Sequence, residues 1–216
     1  MVLSAVIFDL NGTILEDEDE YGKAFNIVLK SLGVDSQTEF PQTKGIGVKE
    51  NWVKLIEKYK ITTQKTPEIL AKETQDEYLA QISEITVRPG FTDFVEHLKE
   101  KGVEIALATS NTWEVTDKIL DTVNLQGIFD AVTTGDEVLY NKPDPEIFTL
   151  TADKLGVERY ECLVVEDSAS GIEAGLEAGM KVVAISSGGE DLKELSKANY
   201  TIEGFSEITE KIIDQL

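Results

Sequence analysis

The chain reads as an α/β protein: a Rossmann-like parallel sheet core with helices on both faces and an inserted helical cap domain. Three features of the sequence carry that reading. A short apolar run, Ser4-Ala5-Val6-Ile7-Phe8, ends abruptly at Asp9 and turns at Gly12. Residues 16–85 then show helical periodicity with no strand pattern among them. From Val87 onward, apolar runs alternate with amphipathic helices, the order of a parallel sheet covered on both sides. With 216 residues, 41% of them hydrophobic, the chain can bury one good core and spare enough for a modest insert. The boundaries follow as 1–15 and 86–216 for the core and 16–85 for the cap.

The elements take their places in order. The first strand delivers Asp9 at its C-terminal tip. Asp9 and Asn11, two residues apart on extended chain, project to the same side, while Gly12 lets the backbone turn sharply. Tyr21, Phe25, Val28, Leu29 and Leu32 fall at helical spacing over 16–33, which ends at Gly33. The acidic run Glu16-Asp17-Glu18-Asp19-Glu20 reads as the solvated N-terminus of that helix, favoured by its dipole, with metal binding as the alternative. Helices are predicted over 48–60 and 67–83, then 91–101, which stops at Gly102 and carries the sole histidine, His97, on an exposed face. A strand over 103–109 and a helix over 113–123 follow. Further strands are predicted near 130–133, 161–166, 181–185 and 199–202, separated by helices near 144–155, 169–178, 189–196 and 206–214. There is no internal repeat and no low-complexity segment.

Charge excludes some partners. Twenty basic against 41 acidic residues give a net charge of −21, a field that repels nucleic acid and anionic membrane surfaces. An anionic substrate must be drawn in locally by a metal ion or a well-placed lysine, because the only arginines are Arg88 and Arg159. Cys162, the single cysteine, sits in an apolar run and reads as a small buried hydrophobe, so no intrachain disulfide is possible. With no signal peptide pattern and no long apolar span, cytoplasm is the expected compartment. The chain is expected to act as a monomer on a small molecule.

Open parallel sheets bind ligands beyond the carboxyl ends of their strands, so the polar residues at those positions are the site candidates. They are Asp9 and Asn11; Thr109, Ser110 and Asn111; Lys142 beside Pro143; and Glu166, Asp167 and Ser168. Asp9 could cap a turn, but a carboxylate at a strand tip can also accept a phosphoryl group and split one hard displacement into two steps. Such chemistry needs a hard cation such as Mg²⁺ to offset repulsion between carboxylate and phosphate. Glu166 and Asp167 could supply that ion or cap the helix beginning near Ala169. Thr109 and Ser110 could cap the 113–123 helix and Asn111 could be a turn residue, or the three could cradle a phosphate at the helix entry. Lys142, its backbone fixed by Pro143 and Pro145, can complete charge neutralisation. The glycines between Ser170 and Gly179 fall inside a helix, which fits close helix–sheet packing better than a dinucleotide fingerprint.

In this order the blocks resemble the haloacid dehalogenase-like hydrolase superfamily. Asp9-Leu10-Asn11-Gly12-Thr13 is similar to its Asp-x-Asp-Gly-Thr signature. Asn141-Lys142-Pro143-Asp144-Pro145-Glu146-Ile147-Phe148 and Val165-Glu166-Asp167-Ser168-Ala169-Ser170-Gly171-Ile172 resemble its beta-phosphoglucomutase and phosphoglycolate phosphatase branch. The resemblance implies that Asp9 is the nucleophile and that Thr109 and Lys142 bind the transferring phosphoryl group. It also implies that Mg²⁺ is held by Asp9, the main-chain carbonyl of Asn11 and Asp167, with Glu166 assisting from behind. The implied activity is a Mg²⁺-dependent phosphatase of small phosphorylated metabolites, working through a phosphoaspartate.

The departure is Asn11, an amide where the family carries a second acid that moves protons. Its shape preserves ion and phosphate binding but forfeits general acid–base assistance, worth about 10²–10⁴ in rate, so slow turnover is expected. A phosphosugar mutase and a catalytically silent phosphate binder remain alternatives. A mutase needs a cap that grips a second phosphate, for which Lys44 and Lys49 around Gly45-Ile46-Gly47 are the candidates. Phosphonoacetaldehyde hydrolase, a relative without the second acid, forms a Schiff base on a cap lysine, a role open to Lys23, Lys44 and Lys49, although solvated charges on helix faces are the simpler reading of all three. Dehalogenase chemistry, which needs no Mg²⁺, is disfavoured by the acid pair Glu166-Asp167.

Overall fold

The computed structural model describes residues 3–186 and 192–209. Six strands form one parallel sheet: β1 (Ala5–Phe8), β4 (Glu104–Thr109), β5 (Ala131–Thr134), β6 (Cys162–Glu166), β7 (Lys181–Ile185) and β8 (Tyr200–Ile202). Their spatial order is β5-β4-β1-β6-β7-β8, so β1 lies at the centre. Two short strands, β2 (Leu15–Glu16) and β3 (Thr86–Val87), pair antiparallel in a separate ribbon.

β1 is short and wholly buried because its two faces meet two cores. Val6 and Phe8 point into one, where Phe8 packs edge-on to Phe91 with centroids 5.3 Å apart at 87°. Ala5 and Ile7 point into the other, against Ile147, Phe148 and Ile172. Burying a side chain such as Phe8 contributes about 1.5–3 kcal/mol, and both faces gain in this way. The helices that cover the sheet are α4 (Phe91–Glu100), α5 (Trp113–Thr122), α6 (Glu146–Leu155) and α7 (Ala169–Glu177).

Between β2 and β3 the chain makes α1 (Glu18–Ser31), α2 (Val48–Tyr59) and α3 (Pro67–Leu79). Thr66 caps α3 by accepting from the Ile69 amide, and Pro67 occupies the first turn, where a missing N–H costs nothing. Phe25, Trp52, Leu70 and Tyr78 form the interior of this lobe, which runs on without a break into the Phe8 side of the sheet. The expected helix over 189–196 is described only as the single turn α8 (Leu192–Leu195), since 189–191 lie outside the described residues. In place of the start of the expected 206–214 helix, Phe205–Glu207 make a 3-10 turn, with 210–214 outside the described residues.

The β2–β3 ribbon has no counterpart among the expected elements, because two-residue strands leave no periodicity to read. Arg88 fastens it: buried, it donates from Nε to the Thr13 carbonyl at 2.9 Å and from Nη2 to the Gly12 carbonyl at 2.6 Å. Both ends of the helical lobe therefore leave the sheet at one place, directly behind Asp9.

Candidate active site

Strand order places the chemistry. β1 lies between β4 and β6, with Phe8 level with Leu107 on one side and Val165 on the other, so the residues just beyond these strands converge. Asp9 N extends the ladder to the Val165 carbonyl at 3.0 Å. A cavity of about 70 Å³ opens there, lined by Asp9, Asn11, Thr109, Ser110 and Asn111 from the sheet and by Tyr21, Lys44 and Asn51 among others from the helical lobe.

Lys142 is the centre of charge. Its side chain is 0% exposed, and Nζ donates to Asp9 Oδ1 at 2.5 Å, Glu166 Oε1 at 2.7 Å and the Ala108 carbonyl at 3.1 Å. All three ammonium protons are thus satisfied, and the ring of Phe148 lies 5.1 Å away. Burial works to discharge the amine, but Asp9 and Glu166 outweigh it and push its pKa above the ordinary lysine value. Asp9 responds in the opposite sense. Burial, helped by the charge of Glu166, pushes its pKa up to about 7 against the pull of Lys142. Asp9, Glu166 and Asp167 are thus buried together around one fully buried ammonium.

Glu166 is held from several sides. Its Oε2 accepts from the Asp167 and Ser168 amides at 3.0 Å each and from Ser168 Oγ at 2.9 Å. Gly171 makes room for it, since a Cβ there would stand 1.9 Å from Glu166 Cδ. A Cβ on Gly175 would stand 2.8 Å from Val182 Cγ2 and 3.4 Å from Val164 Cβ, so these helix glycines serve close packing and one of them serves the site. The α7 cap is Ser168, whose Oγ accepts from the Gly171 amide at 3.0 Å, and not the acid pair before it. Asp167 Oδ1 accepts from Thr13 Oγ1 at 3.3 Å, and Lys44 Nζ lies 3.9 Å from its Oδ2.

Asp9, Glu166 and Asp167 each present an oxygen within 4.8 Å of the others'. An all-oxygen, anionic and buried donor set of this kind suits a small hard cation, whose charge would counter the burial and the Glu166 repulsion that raise the Asp9 pKa.

The loop 109–111 does not cap α5. Thr109 Oγ1 accepts from the Asn111 amide at 3.2 Å, and the first α5 amide, Trp113 N, donates instead to Asp136 at 3.1 Å. Ser110 Oγ donates to the Gly45 carbonyl at 3.1 Å and Ser170 Oγ to the Lys44 carbonyl at 3.0 Å. The lobe's loop is thereby pressed so close that a Cβ on Gly45 would fall 2.0 Å from Ser168 Oγ. Lys44 reaches the cavity, whereas Lys49 does not: it is 55% exposed and paired with Glu68 at 3.2 Å. Lys23 is likewise exposed, beside Glu20 at 3.3 Å.

The acidic run 16–20 is not uniformly solvated, because Asp17 and Glu20 are buried. Asp17 accepts from the Gly12 amide at 3.0 Å, from Tyr78 Oη at 2.5 Å, and from the side-chain amide of Asn11. Burial raises its pKa despite these three donors. Tyr78 is held well above the usual phenol range by burial and by the Asp17 charge. Asn11 Oδ1 in turn accepts from Asn111 Nδ2 at 2.7 Å, and Asn111 Oδ1 from Tyr21 Oη at 2.7 Å. Tyr21 and Tyr78 stack with centroids 3.8 Å apart. Sequence reading assigned Tyr21 to an apolar helix face and Asp17 to solvent, and placed Tyr78 within the 67–83 helix; the one available signal was an acid at a helix entry just beyond a strand tip. Cys162 is buried as expected, and burial pushes its thiol up to about 11. Among the described residues no helix is long and apolar enough to cross a membrane.

Residues 6–185 match the family described as haloacid dehalogenase-like hydrolase. A phosphorylated carbohydrates phosphatase of Thermotoga maritima is 33% identical over 83% of each chain. A phosphoglycolate phosphatase of Aquifex aeolicus is 32% identical, again over 83% of each. Among solved structures, a variant of CbbY from Rhodobacter sphaeroides in complex with xylulose-(1,5)bisphosphate superposes with a TM-score of 0.83 at 26% identity, covering 95% of this chain and 96% of that one.

Proposed function

Because the chain belongs to the haloacid dehalogenase-like hydrolases, we propose that it is a Mg²⁺-dependent phosphatase of small phosphorylated metabolites, with Asp9 as the phosphoryl acceptor. The observation that carries this reading is the buried Lys142 ammonium clamped between Asp9 and Glu166 at 2.5 and 2.7 Å, with Asp167 completing a carboxylate cluster. The printed activities of the Thermotoga and Aquifex relatives support the substrate class.

The residues take distinct roles. Lys142 fixes Asp9 Oδ1 and favours the charged form of the nucleophile against the burial that opposes it. An Asp9 oxygen attacks phosphorus, the ester P–O bond breaks, and the leaving oxygen departs with its electron pair and collects a proton. Water then attacks the acyl phosphate and releases inorganic phosphate, returning Asp9 as a carboxylate. Thr109, Ser110 and Asn111 bind the phosphoryl oxygens, and Lys44 screens the substrate from above. Asp9, Asp167 and the main-chain carbonyl of Asn11 would hold Mg²⁺. When bound, Mg²⁺ supplies the Lewis acid that offsets repulsion between nucleophile and phosphate. Glu166, with both oxygens committed to Lys142 and the α7 entry, acts by holding Lys142. Residues 16–85 act as the cap that closes over the substrate.

Hydrolysis is preferred to mutase chemistry because Lys44 is the one cation that the helical lobe contributes to the cavity lining among the described residues. A second phosphate needs more than that. The test is hydrolysis of p-nitrophenyl phosphate and a panel of sugar and acid phosphates, with and without Mg²⁺. Turnover is expected to need the metal and to fall by about 10³-fold or more in Asp9→Asn. An acid-stable phosphoprotein that hydroxylamine discharges is expected from the unaltered chain alone. Full activity in Asp9→Asn defeats the reading.

A further inference from the structure

Asn11 and Asp17 form a directed hydrogen-bond chain. Tyr21 Oη donates to Asn111 Oδ1, Asn111 Nδ2 donates to Asn11 Oδ1, and Asn11 Nδ2 donates to Asp17. Asp17 closes the chain as a pure acceptor, taking two more donors from Tyr78 Oη and the Gly12 amide. Every donor on this path points the same way. Asn11, Asn111 and Tyr21 line the cavity, whereas Asp17 and Tyr78 stand behind them and do not.

From this geometry we propose that Asp17 is a positioning residue for Asn11, and that the two are a transposed pair: the acid stands at 17 and its amide partner at 11. The carboxylate pulls the Asn11 NH₂ group away from the cavity and leaves the oxygen turned toward Asn111. Only a side chain that donates fits position 11 while position 17 is an acceptor. An acid placed at 11 alone would set two carboxylates in contact inside a buried pocket, with Tyr78 and the Gly12 amide still committed to one of them. The same acid placed beside an amide at 17 would be held as Asn11 is held now, with donor and acceptor exchanged. It would then stand in the cavity wall next to Asp9, within reach of a leaving oxygen.

This deepens the phosphatase reading, and its kinetic arm rests on it. The experiment compares four full-length proteins: the unaltered chain, Asn11→Asp, Asp17→Asn and the double exchange. Thermal midpoints are measured together with kcat and KM, with Mg²⁺, on p-nitrophenyl phosphate and on glycerol 2-phosphate, an alkyl ester with a poor leaving group. Asn11→Asp alone is expected to melt about 5–10 °C lower, as a buried unpaired charge does in a chain of this size, and to gain less than tenfold in kcat. The double exchange is expected to recover most of the midpoint. It is also expected to raise kcat on the alkyl ester by about 10²–10⁴ while KM moves little, with a smaller gain on the aryl ester.

A purely structural contact would restore the melting point and leave this selectivity for the poor leaving group unmoved, which would overturn the positioning role. Midpoints of the single variants that simply add in the double exchange, or an Asn11→Asp protein as stable and as fast as the double exchange, would overturn the pairing. Absence of turnover in all four proteins, with the midpoints still coupled, would strike the phosphatase reading while leaving the pairing in place.

Discussion

Glu166 and Gly171 show how one missing side chain sets up the active site. The carboxylate can receive the Asp167 and Ser168 amides and still reach Lys142 only because Gly171 has no Cβ. Gly171→Ala is therefore expected to lower stability by about 1–3 kcal/mol, the usual cost of overpacking, and to lower kcat as Lys142 loses its second anchor. Denaturant unfolding and steady-state kinetics on the one variant check both. Asp9, Thr109, Glu166 and Asp167 were legible from sequence because each ends or follows an apolar run that reads as a strand, and strand tips in a parallel sheet converge. Lys142, separated from the end of β5 at Thr134 by a loop, was singled out by the prolines that follow it and by the family resemblance. Asp17, Tyr21 and Tyr78 were not, because a helical side chain's buried partner depends on how the lobe docks. Spacing along the helix carries nothing about that. Lys49 illustrates the same limit: four residues from Gly45, it turns outward to Glu68.

β1, β4, β6 and β7 and the helices between β4 and β7 fell where periodicity put them, because burial on both faces leaves uninterrupted apolar runs, whereas a 3-10 turn at Phe205–Glu207 stands at the start of the expected 206–214 helix. The ribbon of β2 and β3 escaped notice, since its stability comes from contacts distant in sequence. Arg88 is the chief of these, bonding the carbonyls of Gly12 and Thr13 across more than 70 residues. Replacing it with Met keeps the volume and strands two buried carbonyls, each worth about 1–3 kcal/mol when left unsatisfied. Arg88→Met is expected to lower the unfolding free energy by several kcal/mol in total, read from the denaturant midpoint. It is also expected to raise KM, because the turn carrying Asn11 and Gly12 loses its brace.

Taken whole, the molecule sets its own charge against its task. A net charge of −21 repels a phosphate dianion at long range, while Lys142 and Lys44 attract it only at contact. Added salt screens the repulsion beyond roughly 10 Å at 0.1 M and touches the buried pairs little. kcat/KM for an anionic substrate is therefore expected to rise about two- to fivefold between 10 and 150 mM salt, with kcat nearly constant; a fall would mean that local attraction dominates the encounter. The cavity of about 70 Å³ is far below the 300–1,000 Å³ of a usual small-molecule site. A sugar phosphate is therefore expected to enter as the Lys44–Gly45 loop parts from Ser110 and Ser170.

Leu15 and Val87 sit opposite each other as strand neighbours, so the two ends of the helical lobe are already spliced together at the protein level. A lobe entered and left through one doorway can be altered in length or sequence without pulling the strands of the parallel sheet apart, so a graft between those two residues is expected to leave the strand tips that carry Asp9, Thr109 and Asp167 in register.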